Sequence, residues 1–146
     1  MLPDSLLTSQ IIFCEKVLKE NDGIHSIIRR ADIFFVSGGA ENDLRASRIG
    51  LLATGRFEGS DGGSYLVTIE LVRPDGDSGK MAELTIDLSK LATNPASAVR
   101  GFDITVEMNI APVRYGRYWV RMLLDGECAS KAWFELVDTA QVSQGQ

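Results

Sequence analysis

Residues 116–136 read GRYWVRMLLDGECASKAWFEL and hold both tryptophans of the chain. In an extended chain successive side chains point to opposite faces. Tyr118, Val120, Met122 and Leu124 therefore share one face, and Trp119, Arg121, Leu123 and Asp125 share the other. On the return, Ala132, Phe134 and Leu136 match the apolar face, while Lys131, Trp133 and Glu135 lie opposite. With Asp125-Gly126 as turn former, the stretch predicts an antiparallel hairpin with one face in a core and both tryptophans on its outer face. A two-residue loop would set Val120 opposite Lys131 and mix the faces, so a loop of three or five residues is expected. Three residues put Trp119 opposite Trp133. Five put Arg121 opposite Trp133 and Trp119 opposite Glu135, with a cation over a ring.

The same period of two recurs up the chain. Phe102, Ile104, Val106, Met108 and Ile110 alternate with Asp103, Thr105, Glu107 and Asn109. Leu84, Ile86 and Leu88 are expected inward against Glu83, Thr85 and Asp87. Further strands are expected near Ser9 to Leu18, Arg48 to Phe57, Tyr65 to Arg73 and Met81 to Leu88, separated by turn formers such as EGSDGGS and RPDGDSGK. The first ends at Asn21-Asp22-Gly23, and the chain returns as IHSIIRRADIFFV. KLATNPASAVRG breaks the rhythm and reads as a crossing between sheets with one helical turn. About eight antiparallel strands without a long helix predict an all-β, two-sheet sandwich. A chain of 146 residues fits one such domain over 1–146, with 1–8 and 139–146 expected as frayed tails.

Composition narrows the function classes. A net charge of -5 opposes capture of a polyanion, so nucleic acid is not an expected partner. No apolar run reaches the roughly 18 residues of a membrane helix, and MLPDSLLTSQ lacks a basic leader, so no membrane and a cytoplasmic location are expected. Cys14 and Cys128 lack metal or redox spacing and read as small buried hydrophobes.

Catalytic residues are not expected. The one histidine, His25, follows a turn, and its pairing with Cys14 across the first hairpin would be the sole route to an activated thiolate. Nucleophile elbow, phosphate loop and metalloprotease motifs are absent, and no cofactor is implied. The loop acids Asp61, Asp75, Asp77 and Asp125, with Glu127, are the alternative metal set, for calcium at one end of a sandwich, although aspartate beside glycine is also what turns select. Arg114, Arg117 and Arg121, like Arg29 and Arg30, read as strand-face arginines paired with nearby acids.

Two stretches suggest protein contacts. Trp119, Arg121, Trp133 and Glu135 form an aromatic and charged patch suited to a partner. Ile33, Phe34, Phe35 and Val36 are apolar in succession, so both faces of that strand are expected to be covered, by a loop or by a subunit contact of a homo-oligomer.

Cys14-Glu15, Asp22-Gly23, Ser26-Ile27-Ile28 and Asp32, with LVRPDG and GRYWVRMLLDGE later on, resemble a family of uncharacterised small bacterial β-sandwich proteins, a domain of unknown function. The resemblance covers nearly the whole chain and implies a β-sandwich without assigning an activity. The expected function is thus a non-catalytic interaction or accessory module that binds another protein. The alternatives are a C2-like or Ig-like module binding calcium or a ligand through acidic loops, and a small cysteine-dependent enzyme.

Overall fold

The computed structural model describes residues 1–19, 25–36, 48–91, 98–110 and 114–138, and for 16, 18, 19, 25–30 and 36 the backbone alone. It is all β. The strands are β1 (Leu6–Lys19), β2 (His25–Arg30), β3 (Ile33–Val36), β4 (Arg48–Glu58), β5 (Ser64–Val72), β6 (Ser78–Asp87), β7 (Val99–Asn109), β8 (Gly116–Leu124) and β9 (Glu127–Asp138). They form a four-stranded sheet in the order β2-β1-β4-β7 and a five-stranded sheet in the order β3-β9-β8-β5-β6. All neighbours are antiparallel except β3 and β9.

Alternation builds the core between the sheets. Phe102, Ile104 and Met108 of β7 are buried while Asp103, Thr105 and Glu107 are exposed. Val67, Ile69 and Leu71 of β5 do the same from the other sheet, and Tyr118, Val120, Met122 and Leu124 join them from β8. Phe134 is the aromatic centre at the β9 side. Its ring stacks on Tyr118 at 5.0 Å and meets Phe13 edge-on at 5.0 Å and Phe34 at 6.1 Å.

Between β4 and β7 two glycines sit opposite two large side chains, Gly55 opposite Phe102 and Arg56 opposite Gly101. Each large group lies across the bare backbone facing it. A Cβ on Gly55 would stand 2.6 Å from the Phe102 ring, and one on Gly101 would stand 2.5 Å from Arg56 Cδ. Arg56 holds its place by donating from Nη1 to the carbonyls of Gly55 and Phe102 and from Nη2 to Asp103.

Several expectations are corrected. IHSIIRRADIFFV is two strands in different sheets, because the chain leaves β1 at Ala31, whose N–H donates to the Phe13 carbonyl, and joins β9 at Asp32, whose carbonyl accepts from Glu135 N–H. Leu6 to Thr8, expected within a frayed tail, lie in the first strand. Leu6 starts β1 and packs on the core, Ser5 accepts from Glu58 N–H, and the Met1 ammonium meets Glu127 at 3.0 Å. Tail residues 139–146 lie outside the described residues. Leu84 faces the core side, opposite Val67, yet is 37% exposed, because β6 is an edge strand. The crossing after β6 does carry the chain between sheets, with a 3-10 turn at Leu88–Lys90.

The hairpin turn also differs from the expected odd loop. Asp125 and Gly126 form a two-residue turn, both at positive φ (47° and 85°), as such a turn requires. Parity is restored by a bulge farther along. Leu124 pairs with Glu127 and Leu123 with Cys128, but Met122 pairs with Ser130, leaving Ala129 as the extra residue. The result is the Trp119–Trp133 register expected of a three-residue loop.

Candidate functional site

The five-stranded sheet turns one face away from the core, and the expected site residues lie on it. Trp119 of β8 and Trp133 of β9 are directly opposed and half-buried. Diagonal neighbours cover both rings: the Arg117 guanidinium lies 4.4 Å from the Trp133 centroid and Lys131 Nζ 4.3 Å from that of Trp119. Cation and ring attract through the ring quadrupole, so each pairing fixes a ring against its strand. The alternative register, with Arg121 opposite Trp133, is not adopted, since Arg121 stands opposite Lys131.

Acids fix the cations in turn. Arg117 donates from Nε and Nη2 to Glu135 Oε1 at 2.9 and 2.7 Å. Arg121 pairs with Glu70 on β5, and that carboxylate raises the guanidinium pKa above its ordinary value. Arg121 Nε is buried and has no hydrogen-bond partner among the described residues. The structure thus brings Trp119, Trp133, Arg121 and Glu135 onto one surface, with Arg117, Lys131 and Glu70, which the sequence reading did not assign to the site. Strand spacing alone places Arg117 and Lys131 on that face. Glu70 requires the β5–β8 pairing, which no local pattern encodes.

Toward the β3 edge the same face becomes apolar. Ile33 pairs with Glu135 and Phe35 with Val137, so both point outward, and they are 44% and 59% exposed. Phe34 points inward onto Phe134. The inner face of this strand is packed, and the outer one, where a covering loop or a subunit contact was expected, is open among the described residues of the single chain; the Val36 side chain lies outside the described set.

The two sheets part where the chain crosses between them. A cleft of about 530 Å³ opens there, lined by Ile11, Phe13 and Ala31 on one bank and Asp32, Lys131, Ala132 and Trp133 on the other. At its far end Ser9 Oγ donates to the Ala129 carbonyl at 2.6 Å, tying β1 to β9. Sequence gave no sign of this cleft, which depends on strand order.

The remaining candidates are dispersed. Asp61 accepts from Ser5 Oγ, from Tyr65 Oη at 2.5 Å and from Gly63 N–H at 2.8 Å, and the first two bonds lower its pKa below the ordinary carboxylate value. Asp75 caps its own turn through Asp77 N–H and pairs with Arg114, while Asp125 accepts from Leu66 N–H at 2.8 Å. Asp61, Asp75 and Asp125 are thus engaged by donors of the chain itself, and among the described residues no three His, Cys, Asp or Glu side chains could jointly hold a metal. Cys14 is buried and pairs with Arg30, whereas His25 pairs with Lys19 at the other end of the hairpin, so the two positions weighed as a cysteine–histidine pair are not cross-strand neighbours. Cys128, expected to be buried, is exposed beside the turn. Among the described residues no helix is long and apolar enough to cross a membrane.

No family model matches the chain, and no curated protein matches it. Among solved structures it is similar to an alkylpurine DNA glycosylase of Pseudomonas fluorescens bound to DNA containing an abasic site analogue, at 18% identity over 73% of this chain and a TM-score of 0.44. This chain spans 27% of that one. It is also similar to an immunoglobulin-like protein from Pseudomonas aeruginosa, at 13% identity over 88% of this chain and 92% of that chain, again with a TM-score of 0.44.

Proposed function

We propose that the chain is a non-catalytic protein-interaction module that engages its partner through the outer face of the five-stranded sheet. The observation that carries this reading is the continuity of that face. Half-buried Trp119 and Trp133, each covered by a cation, run into the exposed side chains of Ile33 and Phe35. Tryptophan and arginine give large, directional contacts, and an open apolar patch beside them favours burial against another protein. The Arg117–Glu135 and Arg121–Glu70 pairs keep these two arginines in place before a partner arrives.

The test is the double substitution Trp119→Ser with Trp133→Ser, followed by affinity capture from the source cell and by melting. A cross-strand pair contributes roughly 0.2 to 1 kcal/mol, so melting should change by only a few degrees while a captured protein is lost. A large fall in melting temperature with capture intact would make the tryptophans structural and overturn the reading. Tryptophan emission that is strongly blue-shifted and closed to quenchers in the isolated protein would do the same. A rise in melting temperature on adding calcium would favour the acidic loops instead.

A further inference from the structure

We propose that the cleft between β1 and β9 is a strand-addition site, where an extended segment of a partner protein pairs with the free edge of β9 in line with β3. This goes beyond the outer-face reading and relies on backbone groups that the tryptophan patch does not use.

The cleft exists because the crossing strands cover only half of each edge. β2 pairs with β1 from Cys14 onward, and β3 pairs with β9 from Glu135 onward. On the near side of the crossing, the β1 edge up to Phe13 and the β9 edge up to Phe134 have no strand beside them among the described residues.

Parity tells which backbone groups face the opening. A strand residue points its N–H and C=O to the same side, and that side alternates along the chain. Glu135 N–H donates toward β3, to the Asp32 carbonyl at 2.8 Å. Trp133 and Lys131, two and four residues earlier and beyond the reach of the Ala129 bulge, therefore point their N–H and C=O to the same open edge. On the facing bank the Phe13 carbonyl accepts from Ala31 N–H at 3.0 Å, which places the backbone groups of Ile11 on the opening too. A row of donors and acceptors at strand spacing is the complement of one class of ligand, an extended peptide backbone.

Side chains define what that peptide carries. A residue directed between the sheets would meet Ile11, Phe13 and Ala132, an apolar floor. Asp32, exposed at the crossing end, complements a basic residue beside it. The occupant is thus a short extended segment with an apolar residue next to lysine or arginine. β3 already uses the continuation of this edge in the same way.

Phage-displayed random peptides of about ten residues, panned on the full chain, provide the probe. Expected binders carry an apolar residue beside a basic one, and their synthetic forms slow hydrogen exchange at the Lys131 and Trp133 amides. Their affinity should fall on the order of tenfold in Lys131→Pro, which removes an edge N–H that β8 does not use, and several-fold in Asp32→Asn. It should survive Trp119→Ser, which alters the outer face but neither the lining nor the backbone edge of the cleft, so failure of the outer-face reading and failure of this one are separable. Should Lys131→Pro not fold, amide exchange and Asp32→Asn in the otherwise intact chain decide. The proposal is overturned if panning gives no binder, or if binders leave those amides unchanged. It is also overturned if binders are lost only in Trp119→Ser, or if the amides slow simply on raising protein concentration, which would assign the cleft to a second copy.

Discussion

Gly55→Ala should destabilise the protein although alanine favours neither turn nor strain there. The new Cβ would lie 2.6 and 2.7 Å from two atoms of the Phe102 ring, where ordinary contact begins near 3.4 Å. The ring must therefore retreat by about 0.8 Å. It cannot do so freely, because Phe102 is 6% exposed and its other side meets Phe57 at 6.1 Å between centroids. Overpacking of this kind costs about 1–3 kcal/mol, against a gain of about 0.4–1 kcal/mol from the stiffer unfolded chain. The net loss is about 1–2 kcal/mol, or a fall in Tm of roughly 2–8 °C for a domain of this size. Gly79→Ala is the matched control. It also lies in a strand, but nothing stands within 4 Å of its Cβ, so only the unfolded-state gain remains and Tm should hold or rise. Phe102→Leu added to Gly55→Ala should cost less than the two single changes summed, since the smaller side chain relieves the clash. Both alanine variants melting alike in differential scanning calorimetry, or a double variant that is simply additive, would refute the idea that the ring is seated on the glycine.

Phe134→Ala should cost about 3–5 kcal/mol in urea unfolding, since it empties the place where Tyr118, Phe13 and Phe34 meet, and a loss under about 1 kcal/mol would show that the site collapses freely. The Asp61 carboxyl is held below its ordinary pKa chiefly by Ser5 and then Tyr65, so its contribution is present above the unfolded value of 3.8 and is lost as pH falls from there through the folded value. Asp61→Asn should accordingly melt lower at neutral pH and lose less on acidification, and parallel melting curves from pH 5 to 2 would contradict this. A thiol reagent should label Cys128 in the native protein and reach Cys14 only on unfolding, a difference that mass spectrometry resolves by peptide.

What sequence could show depended on whether an element solves its burial locally. β7, β8 and β9 each bury one face, so Phe102 to Met108 and Tyr118 to Leu136 declared their facing through a period of two. Ile33 to Val36 has no period, and nothing local distinguishes a strand covered on both faces from a sheet-edge strand open on one. The break at Ala31-Asp32 is likewise a long-range event, fixed by which strands lie nearby rather than by a turn former. The hairpin pattern showed correctly that an extra residue was needed but not that a bulge at Ala129 would absorb it. Leu84 alternates properly onto the core side and is still partly exposed, because alternation reports the side of a sheet and not whether anything lies across from it. The tryptophan face was legible for the same local reason as the hairpin. The cleft was not, since it arises from two strands that each stop halfway along a neighbour.

The parallel pairing of β3 with β9 joins residues roughly a hundred positions apart, a contact whose loop-closure cost makes it late and slow to form. During synthesis from the N-terminus, β1, β2 and β4 can begin to pair while Ile33 to Val36 still lack their neighbour, which is last in order among the described strands. Through that interval an apolar segment with unpaired edges is presented to the surrounding solution, so the sheet switch that builds the mature sandwich is also an opening for association with other chains. Refolding should therefore be most concentration-sensitive not where the finished core is largest, but where its final strand is awaited.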